Sequence, residues 1–529
     1  MDIKRIVHGA LLLTVAGLLS KILSALYRIP LQNLTGDIGF YIYQQVYPFI
    51  ATVMILTLYG FPAAIAKLTA EAMREQTPLT MKTFYGPILF ILTVVNGSFF
   101  LLFYASAPMI AQFIGDIHLT ASYRLFGSLF LFIPLLALLR GLYQGMEKMH
   151  YVALSQVIEQ VVRVGSIVTV AYFVYMEYLP LYRISEYGVV ASIVGMALAT
   201  LLLLIVWRSN NRHIQHKSFY IPWRNYIGTL VSYGMIASFI HLILIWMQLG
   251  DVFTLVSRLQ AYGYSLTEAM ELKGVFDRGQ PLIQFGIVFG SSFALALIPN
   301  VVLQRKEKEV HSLSDTVQEA VMICTYIATA ASVGLIVLFP EVNTLLFKTD
   351  VETTSLRILM LAIILSSYVI IVSTLLQNIG LVNVTALFIV GSVLCKVSLN
   401  YLLVPLYGIS GASLATIFSL LFLATCVTFT LKRTLYDVAL FQLVKWRPFM
   451  LALAAMSGFL LFTKWVVSML FPVQSRLFLL CSVSFFIVSG ALIYGAVLLR
   501  YGALTRKQLS YFPFATKLVY IESKLRKNV

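Results

Sequence analysis

The chain has 529 residues, 60% of them hydrophobic and only 11% charged, with a mean hydropathy of +0.88. Soluble domains carry roughly 25% charged residues, so this composition excludes a water-soluble fold and implies a polytopic membrane protein. The balance is basic, 38 Lys and Arg against 22 Asp and Glu, but the positions of the cations follow membrane topology and argue against nucleic acid as a partner.

Taken in chain order, fourteen segments approach the ~20 mostly apolar residues that a spanning helix needs. They lie near 6–28, 42–66, 84–106, 121–143, 152–176, 187–207, 226–249, 281–303, 319–340, 356–377, 383–404, 410–431, 448–470 and 475–499. The first follows MDIKR and begins like a secretory signal, yet no small-residue cleavage motif follows it and Lys21 interrupts it. It reads as a retained helix.

Cytoplasmic loops collect Lys and Arg. With the N-terminus inside, the expected cytoplasmic segments hold 25 of the 38 cations, while the outer segments 105–120 and 404–410 hold none. The outer segment 249–280 offsets Arg258, Lys273 and Arg278 with Asp251, Glu268, Glu271 and Asp277. Both termini are expected in the cytoplasm of a multi-pass protein. The tail, basic with Tyr, Phe and Leu between its cations, reads as lying on the anionic inner leaflet.

An internal repeat relates the two halves. The stretch 142-LYQGMEKMHYVAL-154 aligns without gaps on 375-LLQNIGLVNVTAL-387, and 187-YGVVASIVGMALAT-200 resembles 407-YGISGASLATIFSL-420. The expected architecture is all-α integral membrane, about fourteen transmembrane helices in two pseudo-symmetric six-helix lobes plus two C-terminal helices: an N-lobe at 1–215, a C-lobe at 216–440, helices 13 and 14 at 441–500 and a basic tail at 501–529. Transporters are commonly built from such repeats, with the substrate between them.

Embedded charges are the most informative residues, because each costs roughly 2.5–3.5 kcal/mol at mid-bilayer and so tends to face a cavity. Lys21 and Arg28 lie seven residues apart, almost two turns, which places them on one helix face. Glu159 and Arg163 stand at i,i+4 and are spaced to pair. The first alignment puts Lys396 on Arg163, so cations on both lobes suggest one positive cavity; snorkelling is the competing role for Lys396. Arg278 precedes the eighth segment, with a local pair to Asp277 as its competing role.

Such cations suit an anionic ligand, phosphates above all. An organic-cation carrier needs deep acids instead, and Glu159 is the good candidate. No phosphate-gripping Gly-Lys-Ser/Thr loop is present. Cys324, Cys395, Cys426 and Cys481 stand singly in apolar runs, so neither a metal nor a disulfide framework is expected. His241 reads as a packed histidine ahead of a proton relay. The stretch 41-YIYQQVYP-48 offers hydrogen bonds to sugars, with interfacial anchoring as an equal alternative.

The stretches 20-SKILSALYRIPLQNLTGDIGFYIYQQVYP-48, 60-GFPAAIAKL-68, 140-RGLYQGMEKM-149 and 273-KGVFDRGQPLIQ-284 resemble the multidrug/oligosaccharidyl-lipid/polysaccharide (MOP) exporter superfamily, in its polysaccharide-biosynthesis branch with stage V sporulation protein B and the lipid II flippases. The resemblance implies alternating access to a central cavity. It implies a lipid-linked sugar as cargo, flipped across a bacterial cell membrane, with Lys21, Arg28 and Arg278 on its pyrophosphate and helices 13 and 14 forming a groove for its lipid. Lipid II flippases of this kind carry Arg at both helix-1 positions and a further Arg in helix 2, where this chain has Gln44 and Gln45.

The resulting expectation is a flippase for an undecaprenyl-pyrophosphate-linked oligosaccharide. Its substrate-binding residues are Lys21, Arg28, Arg278, Arg163 and Lys396, with Asp37, Gln44, Gln45, Glu159 and Asp277 as accessories. No cofactor is expected beyond a coupling Na+ or H+ or the membrane potential. Partners are the lipid-linked sugar, membrane lipids and cell-envelope synthesis enzymes, and the chain is expected to be a monomer. An ion-coupled drug or metabolite antiporter and a membrane glycosyltransferase are the alternatives.

Overall fold

The computed structural model describes residues 3–75, 79–210, 221–295, 310–435, 440–471, 475–509 and 515–526. Among these residues every regular element is helical. The end of the expected eighth segment from residue 296 on, with the expected cytoplasmic cations Arg212, Lys217, Arg305, Lys306 and Lys308, lies outside them.

Among the described residues ten helices are long and apolar enough to cross a membrane, or eleven if the bent pair Ile117–Leu131 and Ile133–Gly145 counts as one span. The expected first and second segments fall in one apolar stretch, Val15–Arg74, and the eleventh and twelfth in another, Val382–Thr434. Each stretch is broken at a glycine with positive φ, Gly36 (70°) and Gly408 (56°), where short loops were expected. Glycine has no Cβ to oppose this backbone, so the chain turns sharply while its apolar pattern continues.

The first break lies in α2 (Arg28–Ile55), which follows α1 (Ile3–Leu26). Tyr27 between them keeps helical backbone, and the amide of Leu31 still donates to its carbonyl, so Gly36 is the true corner. A π-helical turn, Leu56–Gly60, carries the chain into α3 (Phe61–Arg74). Then come α4 (Gly86–Ile114), α5 (Thr120–Ser128), α6 (Ile133–Gly145), α7 (Met149–Tyr175), α8 (Arg183–Asn210) and α9 (Trp223–Thr229).

The expected helix at 226–249 is replaced by α9, a further π-helical turn at Leu230–Met235 and α10 (Phe239–Tyr262). The expected loop 249–280 is therefore mostly helix, α10 passing directly toward α11 (Leu266–Asp277). The sequence 265-SLTE-268 starts α11 as a capping box: the Ser265 amide donates to the Glu268 carboxylate, which holds that carboxyl below the usual range, and the Glu268 amide donates to the Ser265 hydroxyl. The rest are α12 (Gly279–Leu295), α13 (Val310–Phe347), α14 (Thr353–Leu359), α15 (Ala362–Asn378), α16 (Val382–Thr434), α17 (Trp446–Leu470), α18 (Arg476–Arg500) and two short tail helices.

The chain forms two compact units, Met1–Asp277 with Asn400–Pro405, and Arg278–Leu399 with Leu406–Val529. The lobe boundary expected at 215/216 differs from this division, because α10 and α11 both pack on α2. In the second unit α12, α13 and α15 pack on one another, and α17 and α18 pair and lean on α13. Lys464 of α17 reaches Glu341 of α13 at 2.8 Å, and the Arg476 guanidinium at the start of α18 donates to the Leu345 carbonyl of α13 at 3.0 Å.

Candidate functional site

The first unit buries two arginines whose guanidinium groups are not saturated by the protein. Arg28, at the head of α2, is 0% exposed and stands over the Tyr47 ring with its central carbon 4.1 Å from the centroid. Its side-chain nitrogens make no well-formed hydrogen bond, and the groups acting on it most strongly are the hydroxyls of Tyr47, Tyr27 and Tyr43. Arg163 of α7 donates to the Gln160 side-chain carbonyl, which leaves its Nε and Nη1 without an acceptor.

Tyrosines fill the space around both cations. The hydroxyls of Tyr27 and Tyr43 are hydrogen-bonded at 2.7 Å, and the Tyr43 ring lies 6.0 Å from that of Tyr47. Both arginines act electrostatically on all three tyrosines. The cations are thus held at one aromatic cluster by α2 and α7, which pack together. On the same helices Tyr41, Gln45 and Gln160 are further buried polar side chains.

An uncompensated buried charge is expensive, several kcal/mol even after relaxation. A guanidinium keeps its charge and offers five N–H groups in a planar fork matched to phosphate or carboxylate. This arrangement is therefore suited to an anion with several oxygens.

The remaining residues singled out in the sequence are placed differently. Glu159 is not paired with Arg163. Its carboxylate receives Arg140 of α6 at 2.6 Å, while Arg140 also donates to the Ser155 hydroxyl and to the Thr57 carbonyl in the first π-helical turn. Arg140 reaches farther than an i,i+4 neighbour and ties three elements together, which local spacing in the sequence did not reveal.

Asp277 pairs with Lys273 one turn back in α11, not with Arg278, and both partners are buried. Asp37 accepts from Gln32 at 3.0 Å just past the Gly36 corner. A Cβ at Gly274 would lie 2.3 Å from the Asp37 carbonyl oxygen, so glycine there lets α11 close on that corner. Asp251 of α10 accepts from Asn400 at 2.9 Å, and Asn400 also donates to Thr254. The sequence reading had placed Asp251, Lys273 and Asp277 in a loop. Their i,i+4 spacing in 273-KGVFD-277 was the signal for a helix.

Arg278 and Lys396 belong to the second unit. Arg278 donates to the Thr349 hydroxyl at 2.6 Å beside the Phe347 ring. Lys396 is fully buried and donates to the Ala412 carbonyl and the Thr416 hydroxyl, so within α16 it spans the Gly408 break. These bonds spend much of its donor capacity inside the unit. Lys21 is exposed, although Arg28 seven residues on is buried. Among the described residues no group of three or more His, Cys, Asp and Glu side chains is arranged to hold a metal.

A family model described as polysaccharide biosynthesis protein matches residues 6–302. The chain belongs to this family. Its relatives include the uncharacterized membrane protein YabM of Bacillus subtilis, 33% identical over 526 residues, covering 98% of this chain and 97% of that protein. The lipid II flippase MurJ of Bacillus subtilis is 22% identical over 433 residues, covering 78% and 80%. Among solved structures, lipid II flippase MurJ in an inward closed conformation aligns with a TM-score of 0.67 at 15% identity, over 92% of this chain and 98% of that one. An inward-facing multidrug resistance MATE transporter of the MOP superfamily aligns with a TM-score of 0.63 at 14% identity, over 79% and 96%. The polysaccharide biosynthesis family member described here is a multi-pass membrane protein, a flippase is among its relatives, and it shares its fold with transporters of the MOP superfamily.

Proposed function

We propose that this protein flips an undecaprenyl-pyrophosphate-linked oligosaccharide, lipid II or another cell-envelope precursor, from the inner to the outer leaflet by alternating access. The observation that carries the proposal is the pair of buried guanidinium groups, Arg28 and Arg163, neither of which meets a carboxylate and each of which keeps unused N–H donors at a cluster of three tyrosines. A diphosphate supplies the missing acceptors and charge, and charge-assisted bidentate bonds are the strong kind. Gln44, Gln45 and Tyr41 line the same helix and suit sugar hydroxyls. Lys21 and Arg278 are proposed to meet the cargo elsewhere on its path, while the paired apolar helices α17 and α18 stay with its polyprenyl chain.

Weighing against a cation antiporter, the deep acid such a carrier needs, Glu159, is occupied by Arg140. Resetting of the carrier by a Na+ or H+ gradient or by the membrane potential belongs to the same proposal.

The test is a reconstituted flipping assay with several undecaprenyl-linked sugars. Arg28→Ala and Arg163→Ala should each lower the rate at least about tenfold, the effect of losing one strong charge-assisted contact. If the wild type flips none of them, or if the double variant is unimpaired, the proposal fails.

A further inference from the structure

A second polar cluster in the first unit lies on α1, α7, α10 and the first π-helical turn. The His241 ring of α10 is exposed, and one of its faces is stacked on Tyr59 of the π-helical turn, with centroids 4.3 Å apart and planes 22° from parallel. Gly17 of α1 faces the same place: a Cβ there would lie 3.5 Å from the Tyr59 hydroxyl and 3.9 Å from the Gln156 side-chain nitrogen of α7. Glycine at 17 keeps this corner open.

Lys21 stands four residues beyond Gly17 and so occupies the same face of α1. Helical side chains lean toward the N-terminus of their helix, which carries the Lys21 ammonium back over the Gly17 turn. Its charge acts on His241 in turn. Lys21 is therefore exposed on a face directed at other helices of its own unit, and an exposed cation on that side borders open space within the unit.

We propose that His241 and Tyr59, with Lys21 and Gln156 beside them, form a head-group subsite that takes a carbohydrate ring bearing an anionic substituent. The ring lies with its C–H face on the free face of the His241 imidazole. The Tyr59 stack fixes that imidazole in one plane, so little rotamer freedom is lost on binding. The Gln156 amide and the Tyr59 hydroxyl serve ring hydroxyls, and Lys21 takes the anionic group as a point charge on a long, flexible stem. The subsite rests on the flippase reading and adds to it the identity of the group carried beyond the diphosphate.

The test measures affinity of the full-length protein in detergent for three probes: farnesyl pyrophosphate, farnesyl-pyrophosphate-linked disaccharide bearing a carboxylate, and the methyl ester of that disaccharide. The wild type should prefer the acidic disaccharide over farnesyl pyrophosphate by about tenfold or more, a preference worth about 1.4 kcal/mol per decade. His241→Ala and Tyr59→Leu should remove the preference without changing affinity for farnesyl pyrophosphate. His241→Phe should restore it, because the flat face returns. Lys21→Ala should abolish discrimination between acid and ester alone.

If His241→Ala leaves the preference intact, or weakens all three probes equally, the subsite is overturned. A different pattern tests the underlying reading: if the wild type does not bind farnesyl pyrophosphate, or if Arg28→Ala leaves that affinity unchanged, the diphosphate site itself is wrong.

Discussion

Arg140 shows how a single side chain can be misjudged from spacing alone. Glu159 has a cation four residues on in its own helix, yet its carboxylate is bound by one from α6, and the same guanidinium reaches the Thr57 carbonyl. In a π-helical turn the shifted hydrogen-bond pattern leaves carbonyls short of donors, so Arg140 serves a backbone need and a carboxylate together. Glu159→Gln should therefore destabilise the fold by roughly 3–5 kcal/mol, the usual result of removing one partner of a buried pair. The check is thermal unfolding in detergent. A double change, Arg140→Met with Glu159→Leu, should recover most of the loss, whereas a titrating transport acid would show a normal melting point and no transport. At this scale the sequence disclosed which residues are unusual, since charges stand out in apolar runs. It did not disclose their partners, because Arg140 and Glu159 meet through the packing of α6 on α7.

Helix boundaries were legible where the apolar pattern stops, and obscured where it continues through a change in backbone. The Gly36 and Gly408 corners fall inside long apolar stretches, and the π-helical turns Leu56–Gly60 and Leu230–Met235 leave hydropathy unaltered. Those turns pack against each other at a glycine contact: a Cβ at Gly60 would lie 2.4 Å from both the Gly234 carbonyl oxygen and the Ser238 hydroxyl. Backbone cannot retreat as a flexible side chain can, so Gly60→Ala should cost about 1–3 kcal/mol through overpacking. Gly97 of α4 has nothing within 4 Å of a Cβ, and Gly97→Ala should be neutral or stabilising by up to about 1 kcal/mol through helix propensity. Melting points of the two variants, measured side by side, check the contrast. Conversely, the capping box at 265-SLTE-268 is a readable helix start inside 249–280, a stretch whose polar composition between two apolar segments otherwise resembles a loop.

For the molecule as a whole, composition was sufficient to establish a multi-pass helical membrane protein, and the motifs at 20–48, 60–68, 140–149 and 273–284 were sufficient to indicate the polysaccharide biosynthesis family. The internal repeat pointed to two lobes, but the unit boundary by packing falls at Asp277/Arg278 because α10 and α11 lie on α2. That packing depends on contacts far apart in sequence, such as Gly274 against the Asp37 backbone.

The desolvated guanidinium groups of Arg28 and Arg163 have one more consequence. A protein that holds unsatisfied positive charge in its interior is poised to become more heat-resistant whenever a fitting anion enters, since a ligand that binds only the native state stabilises it by mass action, by about 2.7 kcal/mol at a hundred times its dissociation constant. Pyrophosphate and short polyprenyl pyrophosphates should raise the melting temperature of the wild type in proportion to the logarithm of their concentration. The Arg28→Ala, Arg163→Ala double variant should melt at a temperature indifferent to them. The cargo of this protein thus becomes identifiable by calorimetry on a panel of anions, with no membrane and no transport.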